Sequence, residues 1–143
     1  RMLKQIPLQR IAYNAIPSVV YTNPEIACIG LTEKDLNEIK EGDFAPSMST
    51  DEPFVPYEVH KLPMTFSGRF VAENEGETGL CKVIVDKRSK TIMGVHMIGN
   101  PCSEFVAAAS FAVRMGYTVG EFKQVVFPHP TVGEVLREVI MEA

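Results

Sequence analysis

The chain has 143 residues, of which 45% are hydrophobic and 22% are charged, and its formal net charge is −4. A chain of this length and composition can bury one hydrophobic core and is not expected to be disordered. The negative charge and the lack of clustered Lys and Arg argue against nucleic acid as a partner, and no apolar run reaches the ~18 residues of a membrane span.

The first part of the chain has the pattern of two strands followed by a short helix. Ile16–Thr22 is rich in β-branched and aromatic residues and predicts a strand, and Glu25–Gly30 predicts a second extended segment. Thr32–Asp35 has the spacing of a capping box, which predicts the start of a short helix that ends near Gly42. The proline-containing segment Asp43–Pro56 predicts a loop.

Three further strands are expected in the middle of the chain. Tyr57–Met64 alternates between two faces, as a strand does. After the polar, glycine-containing turn Asn74–Gly79, the segments Leu80–Asp86 and Thr91–Ile98 predict two more strands. Because only Lys87–Lys90 joins these two strands, they should form an antiparallel hairpin.

The last part of the chain changes to helical spacing. Apolar residues three and four positions apart predict a helix over Cys102–Met115, closed by Gly116. Thr118–Glu121 has a capping box that predicts a short helix, and Thr131–Met141 predicts the last helix. Strands first and helices last indicate an α+β domain, with an antiparallel sheet and helices packed on one side.

His129 is the residue that its own sequence context marks as a candidate for chemistry. Pro128 and Pro130 restrict its backbone, and it precedes a helix that carries Glu134 near its start. An imidazole that is held by a carboxylate can exchange a proton near neutral pH. Two interpretations remain open, because Glu134 could instead serve only as a helix cap that bonds the amide of Thr131.

Other polar residues give no comparable signal. Cys28, Cys81 and Cys102 are far apart and form no Cys-x-x-Cys pair, which predicts three small buried side chains in a reducing compartment and no metal site. His60 and His96 lie in strand patterns and are expected to be half-buried strand residues. No Gly-x-Gly-x-x-Gly motif follows a strand, so the chain carries no nucleotide-binding fingerprint of its own.

Three segments, in this order along the chain, resemble segments of one protein family. Ile16–Glu25 resembles the opening of the C-terminal dimerisation domain of pyridine nucleotide-disulphide oxidoreductases, and Thr91–Gly99 resembles the interface strand of that domain. His129–Glu138 resembles the His-Pro-Thr signature as the dihydrolipoamide dehydrogenases of this family have it. Any one of the segments is weak evidence, but the three together are highly specific and the likeness covers nearly the whole chain.

The resemblance implies a domain organisation. Residues 16–143 would be the dimerisation domain, and residues 1–15 would be a residual linker from a preceding cofactor domain. Arg1 is not a natural start, and the flavin-binding domain, the NAD-binding domain and the redox-active disulphide are absent from the sequence. We therefore expect a fragment that binds no cofactor and has no activity by itself.

The resemblance also implies a function for the full-length protein, which would be a homodimer that oxidises dihydrolipoamide with NAD through FAD and a redox disulphide. His129 and Glu134 would form an acid/base pair in the partner subunit's active site, with His129 and Pro130 beside that subunit's flavin. The expected protein partner is the lipoyl domain of a 2-oxo-acid dehydrogenase or glycine cleavage complex. The expected location is the cytoplasm or, in a eukaryote, the mitochondrial matrix.

The sequence departs from the family pattern in three places, and alternatives remain. Asn23 and Phe127 stand where many relatives have His, and Phe44–Pro56 is longer than usual, with no functional explanation. One alternative is glutathione reductase or a related disulphide reductase, in which Ser residues and paired acids typically follow His-Pro-Thr. The other is a dimerisation module without a catalytic role, in which His129 and Glu134 would be only a turn and a cap.

Overall fold

The computed structural model describes residues 13–38 and 56–143. Five antiparallel strands form one sheet in the order β1-β2-β5-β4-β3. The strands are β1 (Ser18–Val20), β2 (Ile26–Gly30), β3 (Tyr57–Pro63), β4 (Leu80–Asp86) and β5 (Ile92–Ile98). The helices are α1 (Glu33–Glu38), α2 (Gly68–Glu73), α3 (Cys102–Met115), α4 (Val119–Phe122) and α5 (Glu134–Met141), and short 3₁₀ turns cover Tyr13–Ala15 and Met64–Phe66.

The α+β class with an antiparallel sheet is confirmed, and four of the five predicted strands lie where the sequence placed them. The exception is the first strand, which was predicted over Ile16–Thr22 and pairs only over Ser18–Val20. Pro17 has no N–H to donate to a ladder, and the chain bends again from Thr22 onward, where the Thr22 hydroxyl donates to the carbonyl of Pro24 at 2.8 Å.

The segment that resembles the interface strand of the relatives is the central strand, β5. It pairs with β2 on one edge and with β4 on the other, so its backbone offers no free edge to a second chain. Its side chains are mostly buried, and Ile98 at its end is the one exposed large hydrophobic residue that it contributes. A partner would therefore contact this segment through side chains and not by extending the sheet.

The main core lies between the sheet and two helices. Helix α3 packs on β2 and β5, and α5 packs on β3 and β4, so buried side chains such as Val83 and Leu136 share one cluster. The other face of the sheet is covered in part by α1. There Leu36 packs with Ile84 and Met93 in a smaller cluster. The two long C-terminal helices thus occupy one side, as predicted, and the short helix α1 covers a patch of the opposite side.

The helix predictions are largely confirmed, although α5 begins at Glu134 and not at Thr131. Helix α3 has the predicted bounds, and Gly116 ends it with φ of 66° while its N–H bonds the carbonyls of Ala112 and Val113. Thr118 forms the predicted capping box with Glu121. Helix α1 begins as expected, but its predicted end near residue 42 lies outside the described residues, as does most of the predicted loop at residues 43–56.

Helix α2 was not predicted. It has only six residues and begins with a glycine, so its helical pattern is too short to stand out. Ser67 caps it by accepting a hydrogen bond from the N–H of Phe70 at 3.2 Å. Within the described parts of the chain, none of the helices has the length and apolar character needed to cross a membrane.

The cysteines and strand histidines lie close to where the sequence placed them. Cys81 and Cys102 are fully buried free thiols, whereas Cys28 is only half-buried. His60 and His96 are half-buried residues of β3 and β5, and Nε2 of His96 lies 2.9 Å from the carbonyl oxygen of Leu31. Burial lowers the pKa of His96, because the charged imidazolium is the form that desolvation penalises. No cluster of three metal-binding side chains occurs in residues 13–38 and 56–143.

Candidate active site

The predicted site lies on the segment that connects α4 to α5. The peptide bond between His129 and Pro130 is cis. The three residues Pro128, His129 and Pro130 are exposed, and the His129 side chain retains 82% of its accessible surface. The imidazole therefore projects from the domain at a position where a second molecule can reach it.

Glu134 contacts both groups that the sequence offered as its alternative partners. Its Oε1 lies 2.7 Å from Nδ1 of His129, and its Oε2 accepts the N–H of Thr131 at 2.8 Å. The capping box is only half formed, because the N–H of Glu134 bonds the carbonyl of Thr131 at 3.4 Å and not its hydroxyl, which donates to the carbonyl of Pro128 at 2.8 Å. One carboxylate thus holds the imidazole ring and the backbone of the turn at the same time.

The charge of Glu134 determines which ring nitrogen of His129 carries the proton. The N–H of Thr131 lowers the pKa of Glu134, with further lowering from His129 and Arg137, while partial burial opposes these effects. Glu134 is therefore ionised at neutral pH and can only accept hydrogen bonds. Nδ1 must then be the protonated nitrogen of a neutral His129. Nε2 carries the lone pair and has no hydrogen-bond partner among the described residues.

A buried serine connects this turn to the rest of the domain. The hydroxyl of Ser67 donates to the carbonyl of Thr131 at 2.9 Å, although the two residues are 64 positions apart. Ser67 is 3% exposed, and on the other side of the turn Val135 and Leu136 anchor α5 in the core. Sequence reasoning missed Ser67, and the one signal that could have identified it is its position three residues before Phe70, where a helix cap is common.

An open cleft of about 400 Å³ lies beside the turn. Pro128 and Pro130, on either side of His129, contribute to its wall, together with Phe105 and Phe127. The remaining lining residues are Arg69, Glu73, Pro101, Glu104, Thr131, Val132 and Gly133. The cleft is thus largely apolar, and two of its three charged residues, Arg69 and Glu73, pair with each other.

Two of the three departures from the family pattern, Asn23 and Phe127, have local structural roles. Asn23 is exposed, and its Oδ1 accepts a hydrogen bond from Nδ2 of Asn100 at 2.5 Å. The ring of Phe127 lies 5.9 Å from that of Phe122 and packs against the main core. Neither residue hydrogen-bonds to His129 or Glu134, so the geometry of that pair does not depend directly on either departure.

Comparison with known proteins defines the class of this domain. Residues 16–140 match the family model described as "Pyridine nucleotide-disulphide oxidoreductase, dimerisation domain". The chain therefore belongs to this family of dimerisation domains. This assignment agrees with the five-stranded antiparallel sheet described above.

Among curated proteins, the chain is similar to dihydrolipoyl dehydrogenases. It is 36% identical over 133 residues to the mitochondrial dihydrolipoyl dehydrogenase of Caenorhabditis elegans, which covers 93% of this chain and 24% of the relative. It is 32% identical over 142 residues to dihydrolipoyl dehydrogenase 3 of Pseudomonas aeruginosa, which covers 94% of this chain and 27% of the relative. The chain thus spans about a quarter of the length of these relatives.

Solved structures show the same fold. LpdA from Mycobacterium tuberculosis superposes with a TM-score of 0.76 at 20% identity, covering 94% of this chain and 26% of that one. The HOCl-induced flavoprotein disulfide reductase RclA from Escherichia coli superposes with a TM-score of 0.71 at 20% identity, covering 88% of this chain and 26% of that one. At these identities the likeness establishes the fold and no more.

Proposed function

We propose that this domain is part of a dihydrolipoyl dehydrogenase and that it contributes an acid/base pair, His129 and Glu134, to the active site of the partner subunit. The observation that carries the proposal is the hydrogen bond from His129 Nδ1 to an ionised Glu134 at 2.7 Å, with Nε2 left exposed. The names of the curated relatives supply the reaction, because they are dihydrolipoyl dehydrogenases.

The proposed step is a proton transfer. Nε2 of His129 accepts the proton of a dihydrolipoamide thiol, and the thiol becomes a thiolate, which is the nucleophilic form of sulfur. The imidazole becomes an imidazolium that donates through Nδ1 to Glu134, and the negative carboxylate stabilises this positive charge. When the proton moves on, the pair returns to its starting state.

The full-length enzyme would use FAD, a redox-active disulphide and NAD, which accept the electrons of the dithiol. The residues of this chain fit a limited part of that arrangement. The exposed cis turn leaves His129 and Pro130 open to a second molecule, which supports the proposal that they lie beside a flavin bound by another part of the protein. The sequence has no glycine-rich nucleotide-binding motif with which to hold a flavin itself.

We also infer that the domain forms a homodimer through the exposed side of α3. Phe111 and Met115 are one helical turn apart there and are 70% and 63% exposed. Tyr13, on the 3₁₀ turn that packs against α3, is 81% exposed. A patch of large apolar residues this exposed is typical of a protein interface, and the matched family is named for dimerisation.

We propose the remaining features of the full-length protein from the family resemblance. Its dithiol substrate would be carried by the lipoyl domain of a 2-oxo-acid dehydrogenase or glycine cleavage complex. It would work in the cytoplasm or, as the name of the Caenorhabditis elegans relative indicates for that protein, in mitochondria. A turnover assay with both substrates distinguishes this assignment from the glutathione reductase alternative. A dihydrolipoyl dehydrogenase should turn over dihydrolipoamide, whereas a glutathione reductase should turn over glutathione disulphide.

The experiment is a turnover assay with dihydrolipoamide and NAD in the full-length flavoprotein that contains this domain. His129→Gln should lower kcat by roughly 10²–10⁴-fold, because it removes the general base, while the FAD content and the dimer remain. His60→Gln is the matched control, since His60 lies in β3 outside the turn, and its turnover should be unchanged. If His129→Gln retains full turnover, the domain is a dimerisation module without a catalytic role.

A further inference from the structure

Ser67 occupies a position that joins two parts of the domain. Its hydroxyl is buried, accepts the N–H of Phe70 at 3.2 Å and donates to the carbonyl of Thr131 at 2.9 Å. The first bond caps α2 and is local. The second reaches a residue 64 positions away, directly after the cis His129–Pro130 bond. A buried hydroxyl with both its donor and its acceptor function satisfied holds its partners in a defined geometry.

Thr131 is where the hydrogen bonds of the turn meet. Its N–H binds Glu134 and its hydroxyl binds Pro128, and both of these bonds lie within the turn itself. Its carbonyl binds Ser67. Among the residues that the structure describes, Ser67 is the one side chain outside Phe127–Glu134 that hydrogen-bonds the backbone of this segment.

We propose that Ser67 is a positioning residue for His129. The peptide that follows Thr131 is fixed by Ser67, the peptide before Thr131 fixes the Glu134 carboxylate, and Glu134 fixes the imidazole ring. Because the His129 side chain is 82% exposed, this series of three bonds supplies most of what orients it. The inference rests on the proposed function, in which Nε2 must come within hydrogen-bond reach of a thiol.

A purely structural role for Ser67 is the competing explanation, since capping α2 would by itself account for the residue. Thr32 provides a matched comparison. Its hydroxyl caps α1 by accepting the N–H of Asp35 at 3.1 Å, and it donates to the Asp35 carboxylate at 2.7 Å. Replacing Thr32 by Ala removes a helix cap that has no connection to the His129 turn, so it measures the effect of capping alone.

The test compares variants in the full-length flavoprotein with dihydrolipoamide as the varied substrate. Ser67→Ala should lower kcat on the order of 10- to 100-fold with little change in KM, because a misplaced base slows proton transfer more than it weakens binding. Ser67→Thr keeps the hydroxyl and should restore most of the turnover. Thr32→Ala should leave kcat unchanged. FAD content and dimer mass are measured for each variant.

A double-mutant cycle separates positioning from structure. If Ser67 acts through His129, then adding Ser67→Ala to His129→Gln lowers kcat no further. If Ser67→Ala lowers kcat by the same factor in the wild type and in His129→Gln, its role is structural and the inference is overturned. If His129→Gln lowers turnover and Ser67→Ala does not, the inference alone is wrong. If His129→Gln has no effect, the proposed function fails and the inference with it.

A second variant covers the case in which Ser67→Ala does not fold. Ser67→Gly also removes the hydroxyl, but Gly is tolerated at a helix N-cap far better than Ala. The same loss of kcat is expected from this variant, with FAD content retained. Full turnover in Ser67→Gly would overturn the inference.

Discussion

Nδ1 of His129 lies 2.7 Å from Oε1 of Glu134, yet the two side chains differ sharply in exposure, at 82% for the histidine and 20% for the glutamate. The carboxylate is therefore shielded and fixed by the backbone, while the ring that it holds is open to a second molecule. This arrangement suits a histidine that works on a substrate outside its own domain. It also means that the properties of Glu134 can be measured in the domain by itself.

Glu134→Gln should change how the stability of the domain depends on pH. The pKa of Glu134 is lowered in the folded state, chiefly by the N–H of Thr131, so ionised Glu134 stabilises the fold above the unfolded value of 4.5. This contribution is lost as the pH falls through the lower pKa of the folded state. The free energy of unfolding should thus be larger for the wild type than for Glu134→Gln at pH 7. The difference between the two proteins should become smaller as the pH falls.

The measurement is denaturant unfolding of both variants between pH 7 and pH 3. Glu77→Gln serves as the control, because Glu77 is an exposed residue of the turn before β4 whose side chain accepts none of the hydrogen bonds found in the described residues. The free energy of unfolding of Glu77→Gln should differ little from that of the wild type at every pH. A Glu134→Gln difference that stays constant down to pH 3 would contradict the lowered pKa.

Phe111→Asp should convert a dimer of the 143-residue chain into a monomer. The substitution places a charge in the centre of the exposed apolar side of α3, where Phe111 is 70% exposed, so it should weaken association more than folding. Sedimentation at tens of micromolar measures the mass. Leu80→Asp is the control, because Leu80 is 38% exposed on the opposite face of the sheet, and it should remain a dimer. A wild-type chain that sediments as a monomer would contradict the interface on α3.

The parts of the fold that the sequence predicted well are those with long, regular patterns. Helix α3 and strand β4 were predicted at their observed bounds, because Cys102–Met115 and Leu80–Asp86 are long enough to show their periods. Helix α2 is six residues long, is capped by Ser67 and buries Phe70 in the main core. That burial is a tertiary effect, and no local pattern encodes it.

The same distinction applies to the candidate site. His129 and Glu134 are five positions apart, and the helix that follows the turn brings them together, so the pair could be predicted from local sequence. Ser67 is 64 positions from Thr131, and the hydrogen bond between them depends on how α2 and the turn pack on the finished sheet. A local sequence pattern cannot predict a contact between residues so far apart in the chain.

The two buried cysteines should resist thiol reagents until the domain unfolds. Burial raises the pKa of Cys81 to about 12 and that of Cys102 to about 11, so both remain thiols at neutral pH and are inert. Burial also raises the pKa of Cys28, but this residue is half-buried and should react first. Alkylation followed by peptide mass spectrometry measures each site. Rapid modification of Cys81 in the folded domain would show that the core opens.

The same two thiols make the fold sensitive to alkali. Their ordinary pKa is 9.0, and it is higher in the folded state, so the unfolded chain ionises first as the pH rises. Stability from Cys81 and Cys102 should be fully present below pH 9 and should decline above it. Cys81→Ala with Cys102→Ala should reduce this decline, and an unchanged alkaline slope in the double variant would contradict the raised values.

Gly94→Ala should destabilise the domain, because β5 has no room for a side chain at that position. A Cβ on Gly94 would lie 2.1 Å from the carbonyl oxygen of Leu31, which also lies 2.9 Å from Nε2 of His96. The segment after β2 would have to move away, at a cost of about 1–3 kcal/mol in the free energy of unfolding. Denaturant unfolding at pH 7 measures this cost.

Gly120→Ala is the control, because it replaces a glycine by alanine at a position where the added Cβ does not clash. A Cβ there, in α4, would come no closer than 3.9 Å to the Thr118 hydroxyl, so it fits without displacement. Alanine also favours a helix over glycine, and this variant should be as stable as the wild type or more stable by up to about 1 kcal/mol. If Gly94→Ala matched it, the close approach of Leu31 to the central strand would not be a constraint on this fold.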